Sequence, residues 1–242
     1  MTGRTEIHFH LLPGVDDGPS TMDASLELAR LAVDDGTRTI VNTPHVCDIE
    51  LDELEDRLTE LRSELDRHAI GIQVLCGGEI GASDVGHLSD SQLQMLAQGP
   101  RGARWLLLES PHAGDSAEFA AAADQLRARG FGVVIAHPER SGALGHGHSE
   151  AISRQLAAGC WLQLNVASIL GDYGEEVRAA AFKLLERDGE VVVSSDAHGL
   201  SRPPALTEAA RAARRAGVAR PQIHRAMDHG PGLLLKSGIQ PS

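Results

Sequence analysis

Histidines and carboxylates recur along this chain at the ends of short apolar runs. His8 and His10 stand at the end of TEIHF (5–9), with Asp16 and Asp17 just behind. His45 follows RTIVN (38–42), Glu79 follows IQVLC (72–76), and Glu109 follows RWLLL (104–108). His137, Glu139 and Arg140 follow GVVIA (132–136), and Asp196 and His198 follow EVVVS (190–194). WLQLN (161–165) is the one run of the seven with no such residue behind it. Imidazole nitrogens and carboxylate oxygens without thiolates make a donor set for divalent ions, suiting Mn²⁺, Fe or Zn²⁺ better than a soft metal. The His8-x-His10 spacing puts both rings on one face of a strand. Any one of these residues alone reads more simply as a helix cap or a surface charge. Six of seven runs ending this way point instead to one convergent site.

The elements that must position these residues are also legible. The runs begin 28–34 residues apart, the length of a strand, a crossover helix and two loops. Several are continuously apolar, as strands covered on both faces are. Helical spacing is expected over 23–36, with Ser20 or Thr21 as cap and Gly36 as stop, and over the heavily charged 50–68. A further helix is expected over 115–130, where Asp115 and Glu118 pair at the start and Gly130 ends it. Others are expected near 88–97, 149–158, 174–188, 204–216 and 220–228. Seven βα units describe a barrel one strand short of the usual eight, with an open doubly wound sheet as the competing layout. In either, the carboxyl ends of parallel strands converge on one mouth.

Composition narrows the function. Twenty-two Lys+Arg against 34 Asp+Glu give a net charge of −12 over 242 residues, which disfavours nucleic-acid binding and a polybasic membrane anchor. The core must be aliphatic, since 42% of residues are hydrophobic but only 3% aromatic. No composition shift separates a second domain, so residues 1–242 are expected to form a single one. No apolar run approaches the ~18 residues of a membrane span, so no membrane insertion is expected. Cys47, Cys76 and Cys160 are too scattered for a disulfide framework, and the expected compartment is a reducing cytoplasm. A cysteine phosphatase needs arginine six positions after its thiolate; Glu53, Ala82 and Val166 occupy those places.

The motifs EIHFHLLPGVDDG (6–18), TPH (43–45), GGE (77–79), LES (108–110), AHPER (136–140) and SDAH (195–198) together resemble the PHP-domain phosphoesterases. More narrowly, they are similar to the CpsB/YwqE-type bacterial protein-tyrosine phosphatases of capsule and exopolysaccharide systems. LQLNVASILGDYG (162–174) and the step Arg202-Pro203-Pro204 match that subgroup too, so the resemblance runs from about residue 6 to about 205. It implies an α/β fold, a distorted seven-stranded (β/α)7 TIM-like barrel, with three divalent metal ions, Mn²⁺ foremost. By resemblance, one ion takes His8, His10, Glu79 and Asp196. Glu79 bridges to a second that takes Glu109 and His137, and a third takes Asp17, His45 and His198. Arg140 and Arg202 match arginines that handle the phosphoryl group. The implied activity is hydrolysis of phosphotyrosine in protein, with metal-activated hydroxide and no cysteine nucleophile. The implied partner is the Tyr-rich tail of a bacterial tyrosine autokinase. A small-molecule phosphatase, such as one for histidinol phosphate, is the alternative; a nucleic-acid-processing PHP module is disfavoured by the charge.

The chain departs from the family pattern in places. Glu6 stands where Asp is usual. Phe9 replaces a small residue and is expected to narrow or reshape the mouth. HRAMDHGPGLLL (224–235) replaces an Asn-Pro-containing tail. His146 and His148 repeat the His-x-His spacing in a Gly-rich stretch with no strand before it, and read as a mobile loop or one that edges the site, rather than as a metal site. His112 is placed to touch substrate or to be an exposed loop residue, and Trp105 and Trp161 are expected to pack against helices.

Overall fold

Each apolar run becomes parallel strand, and past Gly77-Gly78, just after the third run, a further short strand forms. The strands are β1 (Arg4–Glu6), β2 (Thr37–Asn42), β3 (Gln73–Cys76), β4 (Glu79–Ile80), β5 (Trp105–Glu109), β6 (Gly132–Ala136), β7 (Trp161–Asn165) and β8 (Val191–Ser194). The computed structural model describes residues 3–113, 116–187 and 189–240; Asp115, the expected partner of Glu118, lies outside them. The helices are α1 (Met22–Asp34), α2 (Leu54–Arg67), α3 (Asp90–Leu96), α4 (Ser116–Ala128), α5 (Glu150–Ala157), α6 (Val166–Leu170), α7 (Glu175–Leu185), α8 (Leu206–Arg215), α9 (Arg220–His224) and α10 (Gly230–Ser237). Thr21 caps α1, its hydroxyl accepting from Ala24 N–H at 3.2 Å, and Ser89 with Gln92 forms a capping box on α3. In α2, Leu54, Leu58, Leu61 and Leu65 are buried while Arg57 pairs with Glu53 and Arg62 with Glu55 outside, the solvated face its charges suggest. Among the described residues no helix is long and apolar enough to cross a membrane.

The seven runs therefore give two parallel sheets, β1-β2-β3 and β4-β5-β6-β7-β8, where a single seven-stranded barrel was expected. The break falls at Gly77-Gly78. A Cβ at Gly77 would lie 2.5 Å from Val41 Cγ1 and 3.1 Å from Asn42 O, and one at Gly78 2.9 Å from both Leu96 and Val46. Backbone presses against β2 where side chains have no room, and the strand shifts its pairing from β2 to β5. Single parallel bridges, His45 with Glu79 and Phe9 with Ala197, link the two sheets. Both are at the ends that carry the site residues. Strand order follows chain order within each sheet, without the reversal a doubly wound sheet requires.

Alternate residues of the strands serve two clusters. Leu106, Leu108, Val133, Ile135, Leu162 and Leu164 pack toward the helices. Leu107, Val134, Ala136 and Val192 join Ile7 and Val41 in a second cluster that spans both sheets. The divergent tail completes that cluster. Helix was expected only to 228, but α9 continues through a π turn (Arg225–His229) into α10. Leu234 and Ile239 then enter the cluster. Trp105 Nε1 donates to Leu234 O at 3.1 Å, so this tryptophan packs on the tail helix. Phe9 is fully buried in the helix-side core. It does not narrow the mouth: its side chain points away from it.

Replacing Gly77 with alanine is expected to cost about 1–3 kcal/mol, because Val41 is stiff and the Asn42 carbonyl is backbone. Thermal unfolding should show the midpoint falling by several degrees; an unchanged midpoint would mean that the close approach relaxes freely.

Candidate metal centre

The site is built from strand ends. His8 and His10 lie past β1, His45 past β2, Glu79 opens β4, Glu109 ends β5, His137 follows β6, and Asp196 and His198 follow β8. His137 (φ +37°) and Asp196 (φ +53°) both adopt left-handed backbone, which L-residues enter only when their surroundings hold them there. Asp196 N–H donates to His8 O at 3.1 Å, and His10 N–H donates to Ala197 O at 3.0 Å. These bonds lace the end of β1 to the end of β8. Glu6 strengthens the seam by accepting from Ser195 N–H at 2.6 Å; burial pushes its carboxyl up to about 7.

All nine histidines and carboxylates expected to bind metal converge. His8 Nε2 lies 3.1 Å from Glu79 Oε2 and 3.1 Å from Asp196 Oδ1; His10 Nε2 lies 3.3 and 3.4 Å from the same two atoms. His45 Nδ1 is 3.3 Å from Glu79 Oε2, His137 Nε2 is 2.9 Å from Glu79 Oε1, and His198 Nε2 is 2.9 Å from Asp17 Oδ1. Three overlapping sets have donor atoms within 4.8 Å of one another: His8, His10, Glu79 and Asp196; His10, Asp17, His45 and His198; and His45, Glu79 and Glu109. The first matches the expected grouping. The other two differ: His45 takes the place expected for His137 beside Glu79 and Glu109, His137 joins none of the three sets, and His10 joins the Asp17 set.

A cavity of about 80 Å³ lies over the cluster, lined by every expected site residue except His8 and His10, and by His112. Arg140 places Nη1 3.2 Å from Asp196 Oδ2 and its guanidinium 4.4 Å above the Tyr173 ring, a stack that fixes its plane. Arg202 contacts His198 Nδ1 and lies 3.7 Å from Asp196 Oδ1. The His112 ring stacks on His137 at 5.9 Å. His146 stands outside the cluster and props the Arg140 loop instead, its Nδ1 2.8 Å from Glu139 O. Cys47 is exposed and does not line the cavity. Burial and neighbouring Asp48 and Asp84 push its thiol up, the opposite of an activated nucleophile.

Electrostatics follow from crowding. Burial opposes ionisation of Glu79 and Asp196, yet the imidazoles of His8, His10 and His137 hold both well below the usual carboxylate range. Burial would lower His10, but hydrogen bonds to Asp16, Asp196 and Glu79 raise it well above its ordinary value. Burial and the charge of Glu79 push Glu109 up to about 7, and burial and the charge of His10 push His198 down to about 4. The donor chemistry fits divalent cations: buried, rich in nitrogen and oxygen, and free of thiolate. His137 Nδ1 is also buried with no hydrogen-bond partner among the described residues.

Four residues act as positioning groups, of which Asp16 and Glu139 were noted in the sequence without a role and Gln163 and Asn165 were not singled out. Asp16 accepts from His10 Nδ1 at 2.6 Å and from His45 N–H at 3.1 Å; burial opposes its charge, but the His10 contact holds it at about 2. The other three centre on β7, the strand with no metal-type residue behind it. Gln163 Nε2 donates to Asn165 Oδ1 at 2.8 Å, so Gln163 Oε1 accepts from His8 Nδ1–H at 2.8 Å and Asn165 Nδ2 donates to Asp196 Oδ2 at 2.7 Å. With its Nδ1–H held by Gln163, His8 is oriented with Nε2 toward Glu79 and Asp196, the nitrogen that would bind a metal. Glu139 Oε1 accepts from Asn165 N–H at 2.8 Å; burial pushes its carboxyl up to about 7. The signal was present in WLQLN: two polar residues two apart share one face of an otherwise apolar strand.

A parallel α/β fold whose strand ends gather histidines, carboxylates and two arginines around one cavity defines a protein built to hold divalent cations beside an anion. Residues 4–224 match the family model for capsular polysaccharide synthesis, CpsB/CapC, and the chain belongs to that family. It is 31% identical over 201 residues to the tyrosine-protein phosphatase YwqE of Bacillus subtilis, covering 81% of this chain and 77% of that one. It superposes with a TM-score of 0.81, at 28% identity over 98% of this chain and 97% of the other, on a crystal structure from the pair YwqE of Bacillus subtilis and CpsB of Streptococcus pneumoniae, described as metal-dependent tyrosine phosphatases. The Escherichia coli phosphotriesterase homology protein shares the fold, with a TM-score of 0.65 at 15% identity over 95% of this chain and 97% of that one.

Gln163→Leu removes the acceptor that sets the His8 tautomer. Titration of the metal-free protein with Zn²⁺ or Mn²⁺ should show affinity falling about 10- to 100-fold with the circular dichroism spectrum retained. Unaltered affinity would show that His8 needs no such partner.

Proposed function

We propose that this protein is a metal-dependent phosphomonoesterase that hydrolyses phosphotyrosine in proteins and thereby regulates capsule or exopolysaccharide synthesis. The observation that carries the proposal is the placement of Arg140 and Arg202 on the same small cavity as the histidine–carboxylate cluster, together with the close structural likeness to metal-dependent tyrosine phosphatases. In this reading residues 1–242 form one PHP domain, and the two sheets are the halves of a distorted seven-unit barrel. The cluster holds three divalent ions, Mn²⁺ first among them, through His8, His10, Asp17, His45, Glu79, Glu109, His137, Asp196 and His198. The protein works in the cytoplasm, and its substrate is the phosphorylated tail of a tyrosine autokinase.

Bound there, divalent ions supply an ionised water near neutral pH and offset charge on phosphoryl oxygens. The chain's own groups do the rest. Arg140 is a planar, permanently charged fork, held flat by Tyr173 and anchored by Asp196, which leaves its other N–H groups to bind phosphoryl oxygens. Arg202 brings a second guanidinium to the same cavity. A tyrosyl leaving group has a parent pKa of about 10 and departs with less proton assistance than an alkoxide.

Cavity size favours a protein substrate over a metabolite. About 80 Å³ falls well below the roughly 300–1,000 Å³ of clefts that bury a small-molecule ligand. In this reading the phosphoryl group enters it and the leaving group lies outside. A metabolite such as histidinol phosphate calls for a chamber that surrounds the whole molecule.

The deciding measurement is kcat/KM of the Mn²⁺-loaded enzyme on a phosphotyrosyl peptide against histidinol phosphate. The peptide is expected to be strongly preferred, and the reverse preference would move the enzyme into small-molecule metabolism. His137→Ala and Asp196→Ala should each nearly abolish turnover with the fold retained; activity close to wild type in either would refute the ligand assignment.

A further inference from the structure

Beside the metal cavity lies a larger groove, about 370 Å³, that shares Arg202 with it and begins at Ser195, next to Asp196. Its floor is apolar, formed by Val166 and Leu170 of α6 with Pro203. Its charged lining is Arg178, Arg202 and Arg215 against Asp172 and Glu208. Past Arg215 the face of α8 continues into a surface hollow lined by Arg211, Arg214 and Arg215. From the metal cavity outward the count is thus five arginines to two carboxylates, on a chain whose net charge is −12. Arg214 and Arg215 sit in the last turn of α8, where cations complement the helix dipole. That accounts for these two alone: Arg178 is on α7 and Arg202 is in the loop before α8. Arg215 has no ion-pair partner among the described residues, and Arg178 is paired only with the exposed Glu175, at 3.3 Å.

We infer that this groove seats the stretch of substrate polypeptide adjoining the phosphotyrosine, and that it selects an acidic residue there. The inference rests on the phosphotyrosine-phosphatase reading and deepens it. The metal cavity takes the phosphoryl group and little more, so the rest of the substrate must lie against whatever surface adjoins it. The adjoining groove borders it at Arg202, which lines both, and lies in the size range of small ligand clefts, about 300 Å³ upward. An apolar floor suits the tyrosyl ring or a neighbouring aliphatic side chain. Arginines along the wall, with donors left over, suit a carboxylate.

The test compares three substrates on the Mn²⁺-loaded enzyme: phenyl phosphate, a phosphotyrosyl peptide with Asp and Glu on both sides of the phosphotyrosine, and its twin with Asn and Gln in their place. In the wild type the acidic peptide should exceed its twin in kcat/KM by about tenfold, an advantage that shrinks in high salt. Arg215→Glu should bring that ratio to about one, and a peptide flanked by lysines should then become the better substrate. Arg211→Glu with Arg214→Glu, both exposed, should lower the ratio partway. Equal turnover of the two peptides by the wild type, or an unchanged ratio in Arg215→Glu, would overturn the groove assignment and leave the phosphatase reading intact. No turnover of any of the three substrates would overturn both.

Discussion

Two buried carboxylates, Glu79 and Asp196, lie within 3.4 Å of the same two imidazole nitrogens, and much of the structure exists to hold them there. Burying charge costs free energy unless each charge meets a counter-charge and hydrogen bonds. Here the carboxylates face His8 and His10, whose charged forms they favour, and Glu79 also meets the ring of His137 at 2.9 Å. No single element could supply so many groups. The parallel fold does so because each strand end delivers one or two side chains to a common rim.

Delivering them demands local irregularity. The Gly77-Gly78 break turns Glu79 out of one sheet and into the next, which puts its carboxylate between His8, His10, His45 and His137. Left-handed backbone at His137 and Asp196 redirects two further side chains. These positions break the local rules of strand and loop where the site needs them to, while the regular elements behind stay conventional. The rim is also stiffened from behind. Gln163 and Asn165 of β7 contact His8 and Asp196, so one strand contributes orientation while its neighbours contribute donors.

At the opposite end of the strands the divergent tail has a structural task. α10 and the residues just past it bring Leu234 and Ile239 into the cluster that spans both sheets, and Ile239 N–H donates to Ala103 O at 2.9 Å. Ile239 fills the space against Gly132, where a Cβ would meet it at 2.4 Å. The tail, past the residues that the family model matches, lines no part of the cavity over the metal rim. Substrate contacts fall instead to the other side, where α6, α7 and α8 carry the groove next to Arg202.

Sequence by itself displayed the seven strand runs, most of the helices, and the histidines and carboxylates, with Arg140, behind six of the runs. These depend on residue type and short-range spacing, which a linear chain displays directly. Arg202 and the grouping of the ligands came only through the family resemblance. Tertiary structure decided the rest. Gly77-Gly78 reads as a loop until Val41 and Leu96 are seen to press against it. Phe9 looked like a mouth residue because it separates two histidines, but alternation on a strand end turns it into the core. His45 could not be shared among three carboxylates on paper, since Asp17, Glu79 and Glu109 come from separate βα units. The roles of Gln163 and Asn165 required knowing which amide faces which, and a hydrogen bond between residues 155 positions apart has no local signature. Contacts made across the chain are set by packing, and packing is what the one-dimensional pattern does not contain.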